Sequence, residues 1–200
     1  MAKVIAGITM SLDGYVTGPD DGPGNGLGTG GERLHHWVFG GPWTYATERS
    51  AGSMGGADKE FFDSLVATVG GGLVGRGMYD AAGGWGGRNP FPGTLVVLTH
   101  RVEDQPAPGA GFEFVSGWDA ALARAREHAG DRDVSLGGGA DVIRQGLAAA
   151  VVDELAVSVA PVVLGAGKRL FEGFTRDLDL EILSVHHSPY AVHTRYRVLR

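Results

Sequence analysis

The sequence predicts an α/β domain whose mixed, mainly parallel sheet ends in an antiparallel hairpin. Three observations lead there. Short apolar runs alternate with segments of helical period, the pattern of parallel strands joined by helical crossovers. The run Leu95 to Thr99 is almost wholly apolar between turn signals, as in a strand buried on both faces. Two extended stretches, Leu178 to His187 and Val192 to Leu199, flank Ser188-Pro189-Tyr190 and read as the hairpin. The 200 residues suffice for one sizeable core but are short for two. No repeat or linker divides them, so 1–200 is read as one domain.

The elements follow in order. Lys3 to Thr9 is apolar and β-branched, a first strand running into Met10-Ser11-Leu12-Asp13-Gly14-Tyr15-Val16. Gly18 to Gly31 is rich in Gly, Pro and Asp and has no period; so long a loop inside a compact domain is usually functional or mobile. It opens a loop insertion of about 18–56. Within the insertion, Glu32 to Phe39 reads as a short helix broken by Gly40-Gly41-Pro42. Ala57 to Ala67 is a better helix, with Phe61, Phe62, Leu65 and Val66 on one side. Thr68 to Val74 is a strand, followed at Gly75 to Asp80 by a short helix. Phe112 to Val115 is a strand and Trp118 to Ala129 a helix, with Ser116 or Asp119 at its start. Val134 to Leu136 is a buried strand, and Gly137-Gly138-Gly139 opens a helix from Ala140 to Ala149. Glu154 to Ala160 is a strand ended by Pro161.

Composition removes several function classes. A net charge of -6 argues against a nucleic-acid partner, which needs a clustered basic face. The chain has no cysteine, which excludes disulfides, thiolate catalysis and cysteine-ligated zinc. No stretch is apolar enough for a membrane span or a signal peptide. The expectation is a cytoplasmic protein with a small-molecule substrate and no membrane partner. His35-His36 and His186-His187 lack ligand spacing, so no metal is expected, and the hairpin histidines, His193 included, read as strand-surface residues.

Glycine is the outlier: 35 residues, about 2.5 times the usual share of roughly 7%. Placement decides what they mean. Gly26 to Gly31 and Gly70 to Gly75 both spell G-x-G-x-x-G, but the first lies in a loop and the second contains a strand. Neither has the strand before and helix after that a dinucleotide turn requires. Gly137-Gly138-Gly139 has both. Free backbone N–H groups and the helix dipole make such an N-terminus welcome to an anion. Two other strand ends carry phosphate-compatible groups: Gly75-Arg76-Gly77, and Thr99-His100-Arg101 with a hydroxyl, an imidazole and a guanidinium. The guanidinium fork suits phosphate, and ligands of open α/β sheets bind at the carboxyl ends of strands. Together these ends suggest a dinucleotide.

Six segments occur in a telling order: Met10-Ser11-Leu12-Asp13-Gly14, Val74-Gly75-Arg76, Leu98-Thr99-His100-Arg101, Leu136-Gly137-Gly138-Gly139-Ala140-Asp141, Val152-Asp153-Glu154-Leu155 and Pro161-Val162-Val163-Leu164-Gly165-Ala166-Gly167. This set resembles the dihydrofolate-reductase-like family that includes the reductase domain of riboflavin biosynthesis. The resemblance implies a three-layer fold, NADPH as cofactor, a dihydrofolate-like or ribosylaminopyrimidine-like substrate, and a homodimer. It implies that Gly75 and Arg76 meet the cofactor phosphates and that Gly137, Gly138, Gly139, Ala140 and Asp141 hold the pyrophosphate. Thr99 and Arg101, with His100 between them, would take the adenosine 2′-phosphate. Ala6, Tyr15 and Val16 would border the nicotinamide. Met78 stands where the family often has Thr, so one hydroxyl contact is missing.

Reduction of a C=N or C=O bond also needs a proton, and a carboxylic acid or a water it holds is the natural source. Asp58 begins the helix expected to line the substrate cleft, where dihydrofolate reductases carry their acid. Asp13 follows the first strand. Each also has a structural reading, as a helix cap or a turn residue. Trp37, Trp43 and Tyr45 could stack on a flat substrate or pack the insertion onto the core. Leu164 and Gly165 follow a strand and would border the substrate. A second reading is a dinucleotide- or flavin-binding protein that kept the fold and lost catalysis.

Overall fold

The computed structural model describes residues 2–45 and 53–199. The expected insertion at 18–56 is thus described except for 46–52, which lies outside the described residues. The chain forms β1 (Val4–Ser11), β2 (Tyr15–Thr17), α1 (His36–Phe39), α2 (Gly56–Val66), β3 (Val69–Gly75), α3 (Arg76–Ala81), β4 (Thr94–Leu98) and β5 (Phe112–Val115). It continues with α4 (Trp118–Ala129), β6 (Asp133–Leu136), α5 (Ala140–Ala148), β7 (Glu154–Ala160), β8 (Lys168–Arg169), β9 (Leu180–His187) and β10 (Val192–Val198). Eight strands make one sheet in the order β5-β4-β3-β6-β1-β7-β10-β9. The first six in that order are parallel. β10 runs antiparallel to β7 and β9 antiparallel to β10, which is the predicted mixed sheet. A separate ladder pairs β2 with β8; at three residues and two, neither carries a periodic signal.

Strand alternation sends successive side chains to opposite faces. On one face Val4, Ala6, Leu73, Val96, Leu136 and Leu155 pack under α4 and α5. On the other, Val74, Leu95, Val97 and Phe114 pack under α3 and the Trp85 segment. α2 contacts β9 on the far side of the sheet. The three layers follow directly.

The decoy glycines have a packing role. A Cβ on Gly70 would stand 2.6 Å from the Ala129 carbonyl oxygen, and one on Gly71 would stand 3.3 Å from that of Ala125. β3 therefore lets α4 lie on its backbone, and the string is a helix seat rather than a phosphate turn. The first decoy lies in a loop folded on itself by Gly18 N–H to Leu27 O and Thr29 N–H to Pro19 O. Gly26 of that loop rests on the Ala81 carbonyl of α3, so the loop reaches from β2 to α3. One cap differs from expectation: Gly117, not Ser116 or Asp119, occupies the N-cap of α4, and no side chain bonds there. No helix among the described residues is long and apolar enough to cross a membrane.

Candidate functional site

The strand order places the three phosphate-compatible ends side by side, because β4, β3 and β6 are neighbours. Leu73 is level with Leu136, and Gly75 with Leu98, so Gly137, Arg76 and Thr99 leave the sheet along one rim. Gly137 donates its N–H to Leu73 O at 3.0 Å. Gly139 sits at φ 78, which favours glycine, and is the N-cap of α5 without a side-chain cap. The first-turn amides of α5 thus keep their donors for another partner. A Cβ on Gly138 would come within 2.7 Å of Met78 Sδ, so the turn is narrow on the α3 side. Ala140 is buried. Asp141 is exposed and accepts from Gln145 and Arg144.

The residues present suit a dinucleotide phosphate by two observations. The glycine turn leaves the first amides of α5 uncapped and has no room for a Cβ at Gly138 with Met78 where it stands. Beside it, Arg76 Nη1 is buried and has no hydrogen-bond partner. The guanidinium lies 5.0 Å from the Phe114 ring centroid and 5.9 Å from that of Tyr79. Its other nitrogens are engaged: Nε donates to Asp80 at 2.7 Å and Nη2 to Asp104 at 3.1 Å. Arg101 Nη2 donates to the other oxygen of Asp80 at 3.1 Å, and Arg101 Nε stands 3.9 Å from Asp104. The two cations and two anions close a ring. Thr99 is buried, its Oγ1 accepting from the Arg101 N–H at 3.0 Å. His100 is exposed beside it.

The floor beside this rim is β1. A Cβ on Gly7 would meet nothing within 4 Å. Gly7 lies on the sheet face away from α4 and α5, because Ala6 and Ile8 pack into that helical core. The side chain of Ala6, expected to border the nicotinamide, is fully buried in the helical core, which leaves only its backbone for that role, and Gly7 is the open position on the other face. Val16 also belongs to the helical core. Tyr15 donates its hydroxyl to Gly165 O at 3.2 Å and carries Arg169 over its ring at 4.6 Å. It lines a cavity of about 400 Å³ with Gly14, Gly167, Arg169, Phe171 and Glu172.

Asp13 is not placed to donate a proton. It accepts from Ser11 Oγ at 2.6 Å and from the N–H groups of Leu164 at 3.1 Å and Gly165 at 2.8 Å. The Ser11 hydroxyl bond, helped by those two amides, lowers its pKa to about 2. It fastens the loop after β7 to the end of β1, and Leu164 and Gly165 act through their backbones.

Asp58 has a different setting. It is buried in the first turn of α2 and makes no cap bond. His193 Nε2 meets Asp58 Oδ1 at 2.8 Å, and His193 Nδ1 meets Ser158 Oγ at 2.7 Å. The tautomer with Nε2–H satisfies both partners, with Ser158 donating to Nδ1. All three residues are buried, which overturns the expectation that His193 lies on the strand surface. Phe61 stacks on its ring at 4.5 Å and Trp37 meets it edge-on at 4.9 Å. Burial lowers the His193 pKa, against the opposing pull of Asp58. Trp37 is buried and bonds Thr9 Oγ1 at 3.1 Å, so it packs the insertion onto the sheet and offers no open face to a substrate. Trp43 joins Phe39 and Tyr45 in an edge-to-face chain.

Of the residues singled out in the sequence, Arg76, Thr99, Arg101 and the glycine turn lie along one rim, and Asp58 lies in the first turn of α2. Sequence reasoning missed His193, Ser158, Asp80 and Asp104. The signal for His193 was faint: it shares a strand face with Arg195 and Arg197, which reads as solvent-facing unless a third layer covers it.

The model of the RibD C-terminal domain matches residues 2–194. The chain belongs to the RibD C-terminal domain family. No curated protein matches its sequence. Among solved structures, a Shewanella sp. PV-4 protein assigned to riboflavin biosynthesis has a TM-score of 0.71 at 20% identity, all of each chain being covered. Dihydrofolate reductase of Enterococcus faecalis, complexed with NADP(H), has a TM-score of 0.62 at 18% identity, with 99% of this chain and 97% of that one covered. The riboflavin biosynthesis reductase Rib7 of Saccharomyces cerevisiae has a TM-score of 0.57 at 14% identity, with 100% and 89% covered. This RibD-type domain therefore has the three-layer dihydrofolate-reductase-like fold that its sequence predicted.

Proposed function

We propose that this RibD-type domain is an NADPH-dependent reductase of a small heterocyclic substrate. One observation carries the reading: the uncapped turn Gly137–Gly139 shares a rim with Arg76, Thr99 and Arg101, three strand ends suited to the phosphates of one dinucleotide. The cofactor-bound Enterococcus relative and the yeast reductase support it.

In this reading the amides of Gly138, Gly139 and Ala140 hold the pyrophosphate, where the α5 dipole favours negative charge. Gly75 and Arg76 meet the phosphates from the α3 side, and Thr99 and Arg101 meet the 2′-phosphate. NADPH, when bound, supplies the hydride; the chain supplies position, electrostatics and exclusion of water. Gly7 lets a flat ring approach the sheet, and the 18–31 loop, reaching α3, shields it. Asp58, buried and with Oδ1 tied to His193, would be the acid that supplies the proton, directly or through a water, once substrate reaches the first turn of α2. The site residues are thus Asp58, Gly75, Arg76, Thr99, Arg101 and 137–141.

NADPH consumption tests this against dihydrofolate and a ribosylaminopyrimidine phosphate. Oxidation with either is the expected result, and Asp58→Asn should lower the rate at least tenfold. Failure of both substrates together with absence of NADPH binding would overturn the reading.

The reading includes a cytoplasmic homodimer. Leu180, Ile182, Val185 and Val192 are 38 to 62% exposed and share one face of the β9–β10 hairpin. Contiguous apolar surface of this kind marks an interaction site. Light scattering should show a dimer that Ile182→Glu converts to a monomer.

A further inference from the structure

We infer that Asp104 and Asp80 set the choice between a 2′-phosphorylated and an unphosphorylated dinucleotide, by occupying Arg101, the guanidinium that would read the 2′-phosphate, and tying it into one ring with Arg76. The inference rests on the reading above. It concerns a feature of this chain that the glycine turn does not explain.

The ring is a pair of cations already answered by a pair of anions. Asp80 is four residues after Arg76 on α3 and bonds both arginines, one through each oxygen. Asp104 ends the 3-10 turn Val102–Asp104 after β4 and reaches both from the other side. Arg76 is mostly covered, with Nη1 buried and unpartnered. Arg101, Asp80 and Asp104 are 56%, 37% and 44% exposed, so the outer half of the ring can rearrange. Glu103 lies on the same turn as Asp104 and adds a third negative charge.

A phosphate dianion entering here meets carboxylates where it needs donors. Either Asp104 swings away or the two anions repel at short range. A ribose bearing free hydroxyls meets the opposite situation, because a carboxylate accepts from a 2′-OH. Asp104 is the member able to leave: its turn is exposed, and it is bound only to guanidiniums. Asp80 is anchored by the helix that carries Arg76. The clasp therefore weakens NADPH relative to NADH, and Asp104 controls by how much.

Titration calorimetry of the full chain with NADPH and NADH, and with adenosine 2′,5′-bisphosphate and adenosine 5′-phosphate, tests this. For the wild type the two dinucleotides should bind within about tenfold of each other. Asp104→Asn should tighten NADPH and the bisphosphate about fivefold, the upper range of an exposed ion pair, and leave NADH and the monophosphate within about twofold. Adding Arg101→Ala to Asp104→Asn should cancel the gain. Equal change for all four ligands, or no change, overturns the inference while the reductase reading stands. Absence of binding by both NADPH and NADH to the wild type overturns both.

Discussion

The Asp58–His193–Ser158 chain and the Arg76–Asp80–Arg101–Asp104 ring are both small networks of charged and polar side chains. They differ in burial. The first is closed between Phe61 and Trp37 with every member buried. The second has three members more than a third exposed. A buried polar group left without its partner costs the full desolvation penalty, so the first network is fixed. An exposed ion pair is worth about 0–1 kcal/mol, so the second can exchange partners with a ligand. The buried network is rigid, and under the proposed function it stands beside the substrate; the exposed ring can rearrange, and under the same proposal it selects the cofactor.

Substitution of His193 should break this contrast most visibly. His193→Ala strands Asp58 and Ser158 and leaves a cavity, at an expected cost of about 3–5 kcal/mol in denaturant unfolding. His193→Gln can still donate to Asp58 and accept from Ser158, and should lose about 1–2 kcal/mol. A loss below about 1 kcal/mol for the alanine variant would show that the chain is not rigidly satisfied.

Acid should separate the regions next. Burial lowers His35 to about 4 and lowers His193 as well. In the unfolded chain both take up protons near 6.5. Stability is therefore expected to fall as pH drops below about 6.5, continuing toward 4. Asp13, held to about 2 mainly by Ser11 Oγ, contributes stability above its unfolded value of 3.8 that is lost between there and 2. His35→Gln should flatten the upper part of the profile in thermal melts and leave the lower part. An unchanged slope between pH 6.5 and 4 would contradict the assignment to His35.

Arg101→Ala should give the smallest change in stability, below about 1 kcal/mol. A larger loss would mean that the ring is structural and cannot yield to a ligand.

The fold was legible almost throughout, because β3, β4, β6 and β7 and the helices between them carry long periodic or continuously apolar signals. β2 and β8 were not legible, since three- and two-residue strands have no period to read. The glycine turn was legible from its strand-to-helix context, and Gly26 to Gly31 and Gly70 to Gly75 were rejected by the same criterion. The facing of Ala6 was not legible, because only strand parity in the folded sheet puts its side chain in the helical core and the open position one residue on, at Gly7. His193 was misjudged because a polar strand face resembles a solvated one until a third layer covers it. Asp80 and Asp104 carry no motif, and only the juxtaposition of α3 with the turn after β4 pairs them with the arginines.

The central claim is that the turn Gly137–Gly139 holds the cofactor pyrophosphate. Calorimetric titration of NADPH into wild type and Gly138→Val tests it most directly. The new side chain crowds only the flexible end of Met78, so the variant should stay folded within about 2 kcal/mol of wild type. The wild type should bind NADPH saturably at one site per chain, and the folded variant should not bind measurably. Equal affinity in the two proteins would contradict the assignment.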